Sequence, residues 1–398
     1  MRAKLERDFD RFKRELPRDF PAHVRGIYRI DLTARYLGEL VPHPIGKGSG
    51  QLSLNPGQLE DDAAAGVAFA VLKTVIAEDE TGARAMAAWA IHETKMKVER
   101  RPADAGRAGW TVTWKGRGWD RPFAEYLALV RAGRDLTRAG RLLVVPSVKY
   151  HLPRLTEPFR EGEYRHTTAR LADAWREPPL LVEQDFSPTL AGDALADDRA
   201  QILRWLREVP VRIRAASPIP VRVAVKLMNA RFDDAFQVDM MNASAEADAL
   251  VCFNRLFDGR RGVAYGGWDL SDRNLGVLDL FRQSPGLRPG SVEKLTPHAS
   301  AGIPELSGTG NICSGRMILE YARRGCESVQ LHTFFQLPLS EYPAVHGSRP
   351  QRALHALVFH PREGLIAGML ELEARGELER QSGELRFLDL RAHAHRAG

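Results

Sequence analysis

Short apolar segments alternate with longer amphipathic segments along most of this chain. Apolar runs bounded by glycine, proline or polar residues are typical of buried strands, and longer segments with helical periodicity are typical of helices. The pattern predicts eight strands, at 45–49, 68–75, 142–148, 180–186, 221–227, 249–255, 305–310 and 328–333. It predicts helices between and after them, at 59–66, 122–139, 163–176, 198–215, 232–246, 275–284, 314–324 and near 351–357.

Strict alternation of strands and helices indicates an α/β fold with a parallel sheet. Eight such units over roughly 300 residues favour a (β/α)8 TIM barrel. The alternative is an open doubly wound sheet, but the first strand is not followed by the Gly-x-Gly-x-x-Gly turn of dinucleotide-binding folds. We expect an N-terminal helical arm at 1–34, the barrel at 35–375, and a partly disordered C-terminal extension at 376–398.

Two long insertions interrupt the alternation, one at 79–120 after the second strand and one at 258–271 after the sixth. Segments that follow barrel strands lie at the carboxyl end of the sheet, where active sites form. Loops of this length are usually functional. The first insertion carries four tryptophans, at positions 89, 110, 114 and 119. These side chains would either stack on a flat ligand or simply close the barrel mouth.

Composition narrows the class of protein. Hydrophobic residues make up 44% of 398, and the apolar runs 63–72 and 142–148 fall far short of the ~20 residues that cross a bilayer. The charged N-terminus resembles no signal peptide, so we expect a cytoplasmic protein without membrane association. A net charge of +6 permits nucleic-acid binding without favouring it. Three scattered cysteines, and histidines without ligand spacing, predict no metal or iron–sulfur site.

Lysine is scarce, since only ten of the 57 basic residues are lysines, yet Lys73 and Lys226 fall inside predicted strands. Such lysines are either buried for a purpose or extend their charged ends to solvent. A glycine turn, 308–310, joins the seventh strand to a helix, and the eighth strand follows. Barrels commonly bind phosphate at this place, so the pattern predicts a phosphorylated cofactor.

A series of short motifs lies along the chain in a characteristic order. They are Tyr36-Leu-Gly38, His43-Pro-Ile45, Ser49-Gly50, Val71-Leu-Lys-Thr74, Ser187-Pro188, Val225-Lys-Leu227, Asn254, Gly266-Gly267, Gly308-Thr-Gly310 and Gln330-Leu-His-Thr333. With these motifs, residues 34–340 resemble the dihydroorotate dehydrogenase family of FMN-dependent (β/α)8 barrel oxidoreductases. Family members begin with a hairpin before the first strand, so the resemblance implies one here as well.

The resemblance implies an FMN at the barrel mouth, its phosphate held by the two glycine-containing segments and by the N-terminus of the following helix. Lys226 would face the N1–C2=O edge of the flavin. Ser187 would act as the catalytic acid or base, with Lys73 between flavin and substrate. The implied cofactor-binding residues are Ser49, Gly50, Lys73, Thr74, Lys226, Asn254, Gly266, Gly267, Gly308, Thr309, Gly310, Asn311, His332 and Thr333.

The implied substrate-binding residues are Trp119, Gln184, Thr189 and Asn254. Three of them, Trp119, Gln184 and Thr189, replace asparagines of the family, and such changes alter which substrate is accepted. We therefore expect an oxidoreductase acting on a CH–CH or C=C bond next to a carbonyl, on a small molecule other than orotate, in a homodimer. Genuine dihydroorotate oxidation in pyrimidine biosynthesis and a non-catalytic flavin-binding barrel remain alternatives. A tRNA dihydrouridine synthase is disfavoured, because neither its cysteine acid nor its RNA-binding domain is found.

Overall fold

The structure is a computed structural model that describes residues 1–90, 97–102, 108–113, 118–186, 198–230, 233–254, 256–258, 263–265, 268–283 and 303–393. The helices there are α1 (Arg2–Phe12), α2 (Phe20–Tyr28), α3 (Pro56–Ala65), α4 (Phe123–Arg138), α5 (Glu161–Trp175), α6 (Arg199–Ala216), α7 (Asp234–Ala243), α8 (Trp268–Gln283), α9 (Gly315–Ala322), α10 (Arg349–Phe359), α11 (Leu365–Ala374) and α12 (Leu390–His393).

The strands in the same part of the chain range from two to six residues in length. They are β1 (Ile30–Asp31), β2 (Ala34–Tyr36), β3 (Glu39–Val41), β4 (Ile45–Lys47), β5 (Phe69–Val71), β6 (Val75–Ile76), β7 (Lys97–Pro102), β8 (Ala108–Thr113), β9 (Leu143–Val145), β10 (Ser147–Lys149), β11 (Leu180–Asp185), β12 (Val221–Lys226), β13 (Ala249–Cys252), β14 (Leu256–Asp258), β15 (Val263–Tyr265), β16 (Glu305–Thr309), β17 (Cys326–Leu331) and β18 (Leu385–Arg386).

Ten strand segments form one curled parallel sheet, in the order β6-β10-β11-β12-β13-β16-β17-β4-β5-β9. The two ends of this order are adjacent in sequence, because β5 and β6 follow each other closely and only Pro146 separates β9 from β10. The Leu72 N–H donates to the Val145 carbonyl at 2.9 Å, which continues the pairing through the break. The protein is therefore a mixed α/β fold with a barrel-like parallel sheet.

The predicted elements recur with shifted boundaries. The predicted second and third strands are each divided in two, and Pro146 breaks the latter because proline has no N–H group to donate. The helix expected at 275–284 starts earlier, at Trp268, a residue expected in the preceding loop. The antiparallel pair β7–β8 lies in the first insertion, and the pair β14–β15 spans the start of the second. The N-terminal arm contains α1 and α2, while residues 376–393 of the expected extension contain β18 and α12.

The β2–β3 hairpin lies at the amino end of the sheet. Tyr36 is fully buried, and its ring stacks on Phe69 with centroids 4.2 Å apart. The backbone N–H groups of Leu37 and Gly38 donate to the carboxylate of Glu305 at 2.8 and 2.9 Å, where β16 begins. Burial raises the pKa of Glu305 to about 7. The hairpin thus occupies the amino end, which leaves the carboxyl end of the sheet for a ligand.

The side chain of His43 fixes the start of β4. Its Nδ1 accepts a hydrogen bond from the Ile45 N–H at 3.2 Å, and its Nε2 donates to the Gly66 carbonyl at 2.7 Å. The ring is completely buried. Because burial disfavours the charged imidazolium, the pKa of His43 falls from 6.5 to about 4.

A pH dependence follows from this histidine. Between pH 6.5 and pH 4 the unfolded chain binds the His43 proton and the folded chain does not, so the free energy of unfolding falls as the pH falls. The full contribution of this group is about 3 kcal/mol. We expect His43→Asn to remove that part of the slope in urea unfolding measured from pH 7 to pH 4. Equal slopes for variant and wild type would contradict the buried neutral ring.

Candidate functional site

Buried polar side chains collect where the central strands end. Lys226 ends β12, Asp185 ends β11 and Lys149 ends β10, and each is at most 7% exposed. Thr74 follows β5 and Asn254 follows β13. Because the strands are parallel, their carboxyl ends meet at one edge of the sheet. So many polar groups withdrawn from water at this edge indicate a binding site rather than a packing layer.

A cleft opens at this edge between the ends of β4, β12, β13, β16 and β17. Its volume is about 640 Å³ when the open mouth is included. The cleft brings together eight of the residues expected to bind FMN. Those eight are Ser49, Lys226, Asn254, Thr309, Gly310, Asn311, His332 and Thr333.

Lys226 is the only lysine that lines this cleft among the described residues. Its Nζ lies 3.5 Å from Oε1 of Gln330 and 3.6 Å from Oε1 of Glu183. Both contacts are long, and an ammonium group has three protons to donate. The lysine side chain is only 9% exposed, so water reaches little of it. Lys226 therefore presents a cation with spare hydrogen-bonding capacity to whatever occupies the cleft.

Glu183 lies behind this lysine, inside the sheet. Its Oε2 accepts hydrogen bonds from the Tyr36 hydroxyl at 2.9 Å and from Nε2 of Gln330 at 2.6 Å. Burial, with the nearby negative charge of Glu183, raises the pKa of Tyr36 well above its ordinary value. No function is predicted for Glu183 from the sequence. A carboxylate inside an apolar strand is the same signal that points to Lys226, and it applies equally here.

The turn after β16 has an unusual backbone. Gly310 has φ +126° and Asn311 has φ +47°, values that favour glycine and that asparagine tolerates. A Cβ atom on Gly310 would overlap the side chain of Asn274. The backbone N–H groups of Ile312 and Thr333 line the cleft and make no hydrogen bond within the described part of the chain. They are suitable donors for a phosphate group.

The N-terminus of α9 is less available than expected. The Arg316 N–H donates to the Glu363 carbonyl at 3.1 Å, and the Met317 N–H donates to Oγ of Ser314 at 3.2 Å. These two groups are therefore already satisfied by the protein. With these two N–H groups occupied, the turn after β16 and the residues after β17 are better placed to donate to a phosphate, and the contribution of the helix N-terminus stays a prediction.

Glycines after β4 allow the first loop to approach the last strand. A Cβ atom on Gly50 would overlap the imidazole of His332. One on Gly48 would lie 3.3 Å from Oε1 of Gln330 and 3.8 Å from Nζ of Lys226. Gly50 itself does not line the cleft, but the absence of a side chain leaves room for the His332 imidazole there. The predicted Ser49-Gly50 motif therefore contributes a lining residue and a close contact.

A second polar group of side chains adjoins the cleft. The Thr74 hydroxyl lies 3.0 Å from the hydroxyls of both Ser49 and Ser147 and 3.3 Å from Oδ2 of Asp185. Nδ2 of Asn254 donates to the other oxygen of the same carboxylate at 3.3 Å. This network connects the ends of β4, β5, β11 and β13 with the start of β10 and orients Asn254 at the cleft. Ser147 and Asp185 have no assigned role in the sequence analysis.

Two further lysines lie buried at this edge. Lys73 is 4% exposed and Lys149 is fully buried. Nζ of Lys149 lies 4.7 Å from the centre of the Trp89 ring, a cation–π distance, and 3.5 Å from the Asp185 carbonyl oxygen. Trp89 comes from the long insertion, so that segment covers the end of β10. Neither Lys73 nor Lys149 lines the cleft itself.

The predicted substrate residues are less closely grouped. The Trp119 indole is 2% exposed, and its N–H donates to the Pro122 carbonyl at 3.2 Å, so the ring is part of the core. Gln184 lies between Glu183 and Asp185, whose side chains point into the sheet interior, and alternation places it on the opposite face. Ser187, Thr189, Gly266 and Gly267 lie outside the described residues.

Within the described ranges, no group of three or more histidine, cysteine, aspartate or glutamate side chains could hold a metal ion. No helix found there is both long enough and apolar enough to cross a membrane. The sequence matches no family model, and no curated protein is similar to it.

Proposed function

We propose that this protein is an FMN-dependent oxidoreductase acting on a CH–CH or C=C bond next to a carbonyl, in a barrel like that of the dihydroorotate dehydrogenases. The main support for the proposal is the position of Lys226. Its buried ammonium makes only long contacts on its inner side and lines a cleft at the carboxyl ends of the strands. The glycine turn after β16 and the N–H groups of Ile312 and Thr333 lie in the same cleft. This arrangement suits a flavin ring beside Lys226 and a phosphate at the turn.

The strand order supports a (β/α)8 barrel for this site. If β5 with β6, and β9 with β10, each count as one interrupted strand, the parallel sheet has eight strands. The last of them, β17, pairs with the first, β4, through Val329 and Ile45. A phosphate site beside the seventh and eighth strands is the usual position in such barrels.

The donors and acceptors of the cleft suit FMN. Lys226 offers a cation for the N1–C2=O edge, and Asn254 offers an amide to the ring. Ser49 supplies a hydroxyl, while the N–H groups of Ile312 and Thr333 suit the phosphate. FMN, when bound, accepts or donates a hydride at its N5 position. The proposed substrate position lies beside the flavin, toward Lys73 and the ends of β5 and β10.

The side chains of the chain have separate tasks in this proposal. Lys226 holds positive charge where negative charge develops, which is commonly the largest electrostatic contribution to catalysis. Asp185 and Thr74 orient Asn254 through their hydrogen bonds. Ser187, which follows Phe186 directly, remains the predicted acid or base that moves the proton on the carbon next to the carbonyl.

The decisive experiment is the absorbance spectrum of the purified protein, followed by acid release of any chromophore. We expect flavin bands and about one FMN per chain, and bleaching of the bands by a dihydropyrimidine or another saturated carbonyl compound without oxygen. A colourless protein that takes up no added FMN would overturn the proposal. Rescue of a pyrimidine-requiring strain would instead indicate true dihydroorotate oxidation, and tightly bound FMN that no substrate reduces would indicate a non-catalytic barrel.

A further inference from the structure

Lys226 shares its interior position with a buried carboxylate, an arrangement that affects what the cation can do. Glu183 is completely buried, and its Oε1 lies 3.6 Å from Nζ of Lys226. That oxygen has no hydrogen-bond partner within the described residues. The two groups therefore attract each other as charges without a hydrogen bond between them, and the lysine protons stay available to a ligand.

Two neighbours, Gln330 and Tyr36, hold the pair in place. Gln330 contacts both members, because its Nε2 donates to Glu183 at 2.6 Å and its Oε1 accepts from Lys226 at 3.5 Å. Tyr36 donates to the same carboxylate oxygen from the hairpin at the amino end of the sheet, where it stacks on Phe69. The carboxylate cannot swing away from the lysine without losing these hydrogen bonds. The charge separation is therefore a fixed property of the site.

A fixed negative charge behind a cation weakens the positive potential in front of it. Charges in a buried site are screened much less than charges in water, so the negative charge of Glu183 reaches the cleft in front of Lys226. Any group in the cleft that gains negative charge beside Lys226 also experiences Glu183. For the proposed flavin, that group is the N1–C2=O edge of the reduced ring.

We propose that Glu183 sets the electron affinity of the bound flavin by offsetting part of the Lys226 charge, an inference that rests on the proposed FMN site. Glu183 is a positioning residue that acts through Lys226 and does not touch the flavin. Its carboxylate makes the reduced flavin less stable than lysine alone would make it. The site would thereby favour passing electrons onward from reduced FMN to an acceptor.

The test is Glu183→Gln in the FMN-loaded protein, which keeps the size of the side chain and removes its charge. Sulfite adds to flavins more tightly when positive charge lies near the N1–C2=O edge. We expect Glu183→Gln to bind sulfite at least tenfold more tightly than wild type. The two-electron reduction equilibrium should shift by a similar factor, and each tenfold change corresponds to about 30 mV.

Two variants make the result specific. Glu327→Gln neutralises another buried carboxylate, which pairs with Arg35 and Arg391 at the start of β17, and we expect it to leave sulfite affinity unchanged. Glu183→Met removes the charge without adding a polar group and carries the same expectation as glutamine. If Glu183→Gln does not fold, the sulfite affinity of Glu183→Met is the test instead.

The outcomes separate the two proposals. Flavin-loaded Glu183 variants with wild-type sulfite affinity and potential would overturn the role of Glu183 and leave the proposed function intact. An equal shift in Glu327→Gln would also overturn it, since the effect would then follow net charge rather than position. Wild-type protein that binds no FMN would instead overturn the proposed function itself.

Discussion

Lys226→Met is expected to slow the reduction of bound flavin by substrate about 10²–10³-fold, the usual cost of removing one charged or hydrogen-bonding group from the place where negative charge develops. The cleft offers no other lysine among its described lining residues to replace it. The measurement is anaerobic stopped-flow absorbance of FMN-loaded variant and wild type. Weaker FMN binding should accompany the slower reduction, and the two are separated by working at saturating FMN.

Three variants serve as controls for this result. Lys226→Arg keeps the charge and should lose much less than methionine. Lys4→Met removes a lysine from α1, outside the site, and should behave as wild type. Lys226→Met alone leaves the Glu183 carboxylate buried without its cation, which costs about 3–5 kcal/mol of stability in comparable pairs. The double variant Lys226→Met/Glu183→Gln removes that carboxylate charge as well, and so separates lost stability from lost catalysis. A wild-type reduction rate in Lys226→Met would contradict the proposed position of the flavin edge.

Gly315→Ala is expected to destabilise the fold by about 3 kcal/mol. A Cβ atom at this position, the first residue of α9, would overlap backbone atoms of Leu357, Gly364 and Leu365. Backbone atoms of α10 and α11 cannot move aside as a flexible side chain can, so the helices would have to separate. Urea unfolding followed by circular dichroism measures the change.

Gly276→Ala is the matched control for Gly315→Ala. Gly276 is an exposed residue inside α8, and a Cβ atom there would meet nothing within 4 Å. Alanine is the better helix former, so this variant should be about 0.5–1 kcal/mol more stable than wild type. If both glycine variants unfolded at the same urea concentration, the close packing of α9 against α11 would be disproved.

Much of the sheet could be predicted from sequence, because its strands are short apolar runs separated by turn residues. Each of the eight predicted segments contains strand residues of the parallel sheet. Lys226 could also be predicted as a buried cation, since a charge inside an apolar strand is locally visible. The third predicted strand is split at Pro146. The proline is visible in the sequence, but its effect on strand pairing depends on the neighbouring strands.

The partners of the site could not be predicted in the same way. Glu183 meets Tyr36 and Gln330, each 147 residues away along the chain, and no local pattern indicates which distant side chains converge. Trp119 shows the same limit, because a long insertion rich in tryptophan indicates function without indicating where each ring points. Its N–H donates to the Pro122 carbonyl and its ring makes a T-shaped contact with Tyr126, so the ring is part of the core.

Because β1 pairs with β18, β1 cannot complete its sheet until most of the chain has been synthesised. Ile30 and Asp31 are synthesised about 355 residues before their strand partners, Leu385 and Arg386. At a translation rate of 5–20 residues per second, β1 is synthesised roughly 20–70 s before β18. During translation the nascent chain therefore carries β1 without its partner strand, next to helices α1 and α2.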